Sequence, residues 1–106
     1  MKISLTTAIE KLKNHSEDSI NLFVHGTLNI KVYQPDQIDL QHPHEQDEVY
    51  VIISGKGIFF CDGIRETFAP GDVLFAPAGI VHRFEDFDND FSTWVIFYGP
   101  RGGEEV

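Results

Sequence analysis

One cysteine, one methionine, one tryptophan and only eight basic residues stand in a sequence of 106. With Cys61 alone, no intrachain disulfide can form, which excludes a disulfide-framed secreted scaffold. No stretch approaches the roughly 18 consecutive apolar residues of a membrane span. The opening Met1-Lys2-Ile3-Ser4-Leu5-Thr6-Thr7 lacks the long apolar run of a secretory signal. A reducing cytoplasm is therefore the expected location. Basic residues are outnumbered by 17 acidic ones, for a net charge of −9. Nucleic-acid affinity comes mostly from Lys and Arg displacing counterions, and no basic cluster here is dense enough to overcome that charge. Neither nucleic acid nor an anionic membrane is an expected partner, and the acidic excess reads as solubility.

What is present is ordinary for a soluble globular chain: 42% hydrophobic and 24% charged residues, with nine phenylalanines. The length fits one domain over residues 1–106. The chain opens with a short helix, predicted over about residues 7–14. There Thr7-Ala8-Ile9-Glu10 has the form of a capping box, and Ile9 and Leu12 share a face. From residue 20 onward the pattern is β. Ile20 to Val24 and Leu28 to Tyr33 flank a tight turn at His25-Gly26-Thr27, and in the second strand Leu28, Ile30 and Val32 face one way while Asn29, Lys31 and Tyr33 face the other. Glu48 to Ile53 forms a strong strand, and Asp62-Gly63 is a two-residue hairpin turn. Pro70-Gly71-Asp72 and Pro77-Ala78-Gly79 punctuate two more strands, and Ser92 to Tyr98 forms the last. About eight short strands at this spacing predict an all-β sandwich or barrel.

Three side chains able to bind a metal fall within seven positions: His42, His44 and Glu48. On an extended strand, residues i and i+2 project to one face, roughly 6–7 Å apart, so two imidazoles could converge on one ion. Pro43 suits an extended edge, and Glu48 opens the next strand, where it could add an oxygen ligand. Two imidazoles and a carboxylate can leave coordination positions open for substrate. Taken alone, Gln41 to Glu48 reads equally as a polar surface loop.

The wider pattern resembles the cupin superfamily. His42, His44, Glu48 and Gly55 match its first signature, and Gly71, Pro77, Gly79 and His82 match its second, with a short stretch, Lys56 to Pro70, between them. The two motifs span 42–55 and 71–86. Asp36 and Asp86 stand where the signatures have Gly and Asn. The resemblance implies a double-stranded β-helix, a small jelly-roll barrel, carrying the short N-terminal helix. It implies one divalent transition metal (iron, manganese, nickel or zinc) on His42, His44, Glu48 and His82. It also implies a homodimer, for which the apolar strands at 20–24 and 92–98 are the candidate interface, although both could equally pack inside the domain.

If Glu48 faces the barrel interior, Tyr50 and Ile52 on the same strand do too, and Phe84 shares a face with His82. The expected pocket is apolar and takes a small organic molecule. Ile52, Phe59, Phe75, Phe84, Trp94 and Phe97 are candidate walls, and Tyr50 is the one candidate catalytic group. His15 and His25 read as surface and turn residues, Cys61 as an inert thiol, and Asp86, Asp88 and Asp90 as solvated turn residues. Three functions fit: an enzyme, leaning toward dioxygenase chemistry with isomerase or lyase chemistry as the alternative; a small-molecule binding or sensing module; or a barrel stapled by a structural metal. The last is disfavoured because structural zinc sites are usually cysteine-rich.

Overall fold

The computed structural model describes residues 1–106. Its one helix, α1, runs from Leu5 to Lys13, two residues earlier than the capping-box pattern implies. The correction has a simple cause: Ser4 caps the helix, its Oγ accepting the Thr7 N–H at 3.1 Å, so Thr7 is already inside the first turn. Lys11 and Lys13 in the last turn oppose the negative end of the helix dipole. No helix is long and apolar enough to cross a membrane.

Eight strands follow: β1 (Ser19–His25), β2 (Leu28–Tyr33), β3 (Asp47–Ser54), β4 (Gly57–Cys61), β5 (Ile64–Phe68), β6 (Val73–Ala76), β7 (His82–Glu85) and β8 (Ser92–Tyr98). They form a five-stranded sheet in the order β1-β2-β8-β3-β6 and a three-stranded sheet in the order β5-β4-β7. Every pairing is antiparallel, giving the jelly-roll architecture. The hairpin at Asp62-Gly63 forms as expected, with both residues at positive φ (51° and 79°), the requirement of a type I′ turn.

The main core lies between the sheets, built on Tyr50, Ile52, Phe59, Phe68, Phe84, Phe91 and Val95. Aromatic rings meet edge to face there: Tyr50 lies 4.8 Å from Phe84 and 5.7 Å from Phe59, centroid to centroid. A second core sits on the outside of the five-stranded sheet, where Ala8 and Leu12 of α1 cover Val32, with Ile20, Leu22, Ile53 and Trp94 around them.

This second core settles the facing of β2. Register pairs Lys31 with Val95 and Tyr33 with Thr93, while β8 pairs Val95 with Tyr50 and Phe97 with Glu48. Partners directly opposite in an antiparallel pair share a face. Val32 and its strand face therefore point outward under α1, whereas Asn29, Lys31 and Tyr33 point into the barrel. The same parity corrects two candidate pocket walls. Trp94 pairs with Val32 and Val51 and packs beneath the helix, and Phe75 pairs with Val49 on the outer face, where it is 48% exposed. It also separates the two candidate interface strands. β8 lies in the middle of its sheet, and β1 is the edge.

Candidate metal centre

The inward rows of β3 and β7 meet at one end of the barrel. Glu48, at 2% exposure, comes from β3 in the five-stranded sheet, and His82, also at 2%, comes from β7 in the three-stranded sheet. His44 reaches in from the loop over residues 34–46. Gly79 N–H donates to its backbone carbonyl at 2.8 Å, and its ring rests against Phe97, 4.9 Å between centroids. One ligand atom from each of the three residues falls within 4.8 Å of the others.

The His82 ring is oriented from behind. Its Nδ1 lies 2.8 Å from the Ile80 carbonyl, which can only accept, so Nδ1 carries a proton and Nε2 faces the centre. Nε2 lies 3.0 Å from Glu48 Oε1, and His44 Nε2 lies 3.7 Å from the same oxygen. Bonds of about 2.1 Å to one ion place neighbouring ligand atoms about 3.0–3.4 Å apart, a range these two separations bracket. Glu48 Oε1 is buried and receives no well-aligned hydrogen bond. A carboxylate oxygen left this way is costly unless a cation meets it.

A fourth group, not foreseen from the sequence, completes the cluster. Gln41 Oε1 stands 3.1 Å from both His44 Nε2 and His82 Nε2 and accepts the Tyr50 hydroxyl at 3.0 Å. The carboxamide is held from its other end by Asp39, buried at 5% exposure, whose Oδ2 accepts Gln41 Nε2 at 2.5 Å and the Phe84 N–H at 2.8 Å. Asp39 Oδ1 accepts the Tyr33 hydroxyl at 2.5 Å and the Gln41 N–H at 3.2 Å. An Asp and a Gln among polar loop residues carry no metal signal in sequence, so only the fold reveals them.

His42 does not join this group and its side chain is exposed. The segment from residue 34 to residue 46 is loop rather than strand, so the alternation that would pair His42 with His44 does not apply. Gln41 turns inward in its place.

Electrostatics distinguish the two inward imidazoles. Burial lowers the His44 pKa, more than Glu48 raises it. For His82 burial also works against charge, but the close approach of the Glu48 carboxylate oxygen, the Ile80 carbonyl and the Glu48 charge outweigh it and raise the pKa. Burial first, and then Glu48, pushes the Tyr50 phenol well above its usual range, so it serves as a protonated donor and not as a base. Two imidazole nitrogens, an orphaned carboxylate oxygen and a carboxamide oxygen thus converge at one end of the barrel. This donor set fits a borderline divalent transition metal.

Of the candidate pocket residues, Phe97 lines the cavity over this centre, while Ile52, Phe59 and Phe84 pack in the core beneath it.

With fold and site in place, the chain is assigned to the cupins: the Cupin domain family profile matches residues 29–95. It is similar to an uncharacterized protein from Streptomyces coelicolor, 37% identical over 63 residues that cover 59% of this chain and 60% of the other. It is also similar to the acireductone dioxygenase of Leishmania braziliensis, 37% identical over 97 residues, 84% of this chain and 28% of that protein. The chain therefore spans less than two thirds of either relative. Among solved structures, a protein from Neisseria meningitidis superposes with a TM-score of 0.72 at 20% identity, over 93% of this chain and all (100%) of the other. DMSP lyase DddQ from Ruegeria pomeroyi gives a TM-score of 0.66 at 27% identity, over 76% of this chain and 46% of the lyase.

Proposed function

We propose that this cupin holds one divalent transition metal ion and there binds a small organic molecule, with dioxygenase chemistry the best-supported reaction. The observation that carries the metal is the buried, orphaned Glu48 Oε1 between two inward imidazole nitrogens. His44, Glu48 and His82 are the three ligands already assembled. His42 is the fourth, taking the place of the Gln41 oxygen, since imidazole is a stronger donor than a carboxamide toward iron, nickel or zinc. When bound, the ion supplies Lewis-acid or redox chemistry at its open positions. The protein's own contribution is orientation and protonation. Ile80 fixes the His82 tautomer, Phe97 backs His44, and the Tyr50 hydroxyl offers a proton donor one residue from the centre.

Dioxygenase chemistry is supported by two acireductone dioxygenases at 37% and 34% identity, each over 84% of this chain. A lyase reading draws on the likeness to DMSP lyase DddQ. A cytoplasmic homodimer, in which Cys61 stays a free thiol, completes the proposal.

The test is metal content by elemental mass spectrometry on untagged protein, followed by oxygen uptake with an acireductone as substrate. Wild type should carry about one ion per chain, and Glu48→Gln and His82→Ala should lose it. His42→Ala should weaken affinity at least about tenfold, in line with removal of a ligand-shell residue. If Gln41→Ala does so and His42→Ala does not, the carboxamide is the fourth ligand. Iron with oxygen uptake supports the dioxygenase; a bound metal without uptake moves the assignment to lyase or isomerase chemistry. No metal above the His82→Ala level after reconstitution ends the proposal.

A further inference from the structure

The centre opens into a cavity of about 360 Å³, at the lower end of the range for small-ligand sites. Its walls combine two kinds of surface. Val95 and Phe97 on the sheet, and Ile38 and Leu40 on the loop over residues 34–46, are apolar. Ile38 and Leu40 are 61% and 74% exposed and present apolar surface at the rim of the cavity. Between these walls stands Lys31, on the face of β2 that points into the barrel. Its alternating partners on that strand, Leu28, Ile30 and Val32, take the outer face, so the lysine occupies a position a barrel would ordinarily fill with an apolar residue.

Lys31 enters none of the protein's five ion pairs. The acidic groups nearby do not answer it. Asp39 already accepts four hydrogen bonds. Glu48 faces the two histidines, and Asp18 and Asp36 are exposed at the rim, where water screens them. If the centre holds a divalent ion with one carboxylate ligand, it keeps a net positive charge, and Lys31 adds a second beside it.

We propose that Lys31 anchors an anionic group of the substrate, so that the cavity selects a small organic anion, a carboxylate or enolate with an apolar body lying against Phe97, Ile38 and Leu40. This rests on the metal reading above for the reaction, but the anchoring itself belongs to Lys31. Lys31 is a specificity residue and not a metal ligand.

The test uses protein reconstituted with zinc, which is redox-silent and diamagnetic, and two probes of matched shape, hexanoate and hexanamide. Affinities are read by ligand-observed NMR titration, with zinc content measured on every sample. Wild type should prefer hexanoate by about tenfold or more, the scale of one partly desolvated charge pair. Lys31→Met should bring that preference below about threefold with zinc content unchanged, and Lys31→Arg should retain it. Equal affinity for the two probes in wild type, no detectable hexanoate binding, or a preference that survives in Lys31→Met would each overturn the proposal. The last outcome assigns the anion to the metal alone. If wild type takes up no zinc, the metal reading fails by itself. The Lys31→Met comparison on metal-free protein then still decides the anchor by the same criteria.

Discussion

At the scale of single residues, one inconspicuous side chain ties three parts of the site together. Asp39 is a buried carboxylate satisfied by four donors from three places: the Tyr33 hydroxyl on β2, both N–H groups of Gln41, and the backbone of Phe84 on β7. Removing it leaves those donors without an acceptor in a largely buried site, which costs more than the lost bonds themselves. Asp39→Ala should destabilise the protein by about 3 kcal/mol in urea unfolding and release the Gln41 carboxamide from His44 and His82. A loss under about 1 kcal/mol would mean that water replaces the carboxylate. Asp47 offers a pH-dependent counterpart. Its oxygens accept the Glu104 and Ala78 N–H groups at 2.9 Å each, and these two bonds, Glu104 first, hold its pKa below the usual carboxylate value. A depressed pKa contributes stability that is complete above the unfolded value, about 3.9, and is lost as pH falls through the folded value. The stability gap between wild type and Asp47→Asn should therefore be constant near neutrality and close below about pH 4. A gap that widens with acid would contradict this assignment.

Elements were legible wherever their signal was local. The strand carrying Glu48, the Asp62-Gly63 hairpin and the turns before β6 and β7 depend on alternation and on residues that tolerate special backbone angles, and they stand where the sequence puts them. Within the site, His44, Glu48 and His82 are brought together as the motif implies. What was not legible depends on neighbours distant in sequence. Alternation identified the two faces of β2, but only α1 packed on Val32 shows that the apolar face is the outer one. Trp94 and Phe75 were assigned to the pocket by composition, and parity sends both outward. The alternation that would set His42 beside His44 does not hold, because residues 34–46 are loop. The turn between β3 and β4 shows how an element can depend on one atom. Gly55 has φ +82°, and a Cβ there would lie 2.6 Å from the Phe91 Cα. Gly63 has nearly the same angle, +79°, with nothing within 4 Å. Both Ala substitutions incur the left-handed strain of about 1–2 kcal/mol. Only Gly55→Ala adds a backbone overlap that cannot relax by rotating a side chain, so its loss should exceed that of Gly63→Ala by at least about 2 kcal/mol in thermal or urea unfolding. Equal losses would show that the Phe91 segment moves aside freely.

For the molecule as a whole, the position of the centre matters as much as its composition. The two sheets are held together by the aromatic core at one level and by the Asp39 network at another. At the cavity end, Glu48 belongs to one sheet, His82 to the other, and His44 to the loop that joins β2 and β3. An ion bound there would join all three, and the unfolded chain, in which His82 is far from His44 and Glu48, offers no comparable site. Binding free energy then becomes folding free energy. At a free metal concentration a hundredfold above the dissociation constant, the folded state gains about 2.7 kcal/mol. For a domain of this size, that raises the unfolding midpoint by about 10–20 °C. The shift should rise with the logarithm of metal concentration, vanish with a chelator and be absent in His82→Ala, whose remaining ligands no longer bridge the sheets. Lys31→Met should keep the full shift, because it removes an anchor for substrate and leaves the clasp intact. A shift of equal size in His82→Ala would locate the ion elsewhere, and with it the chemistry proposed for this end of the barrel.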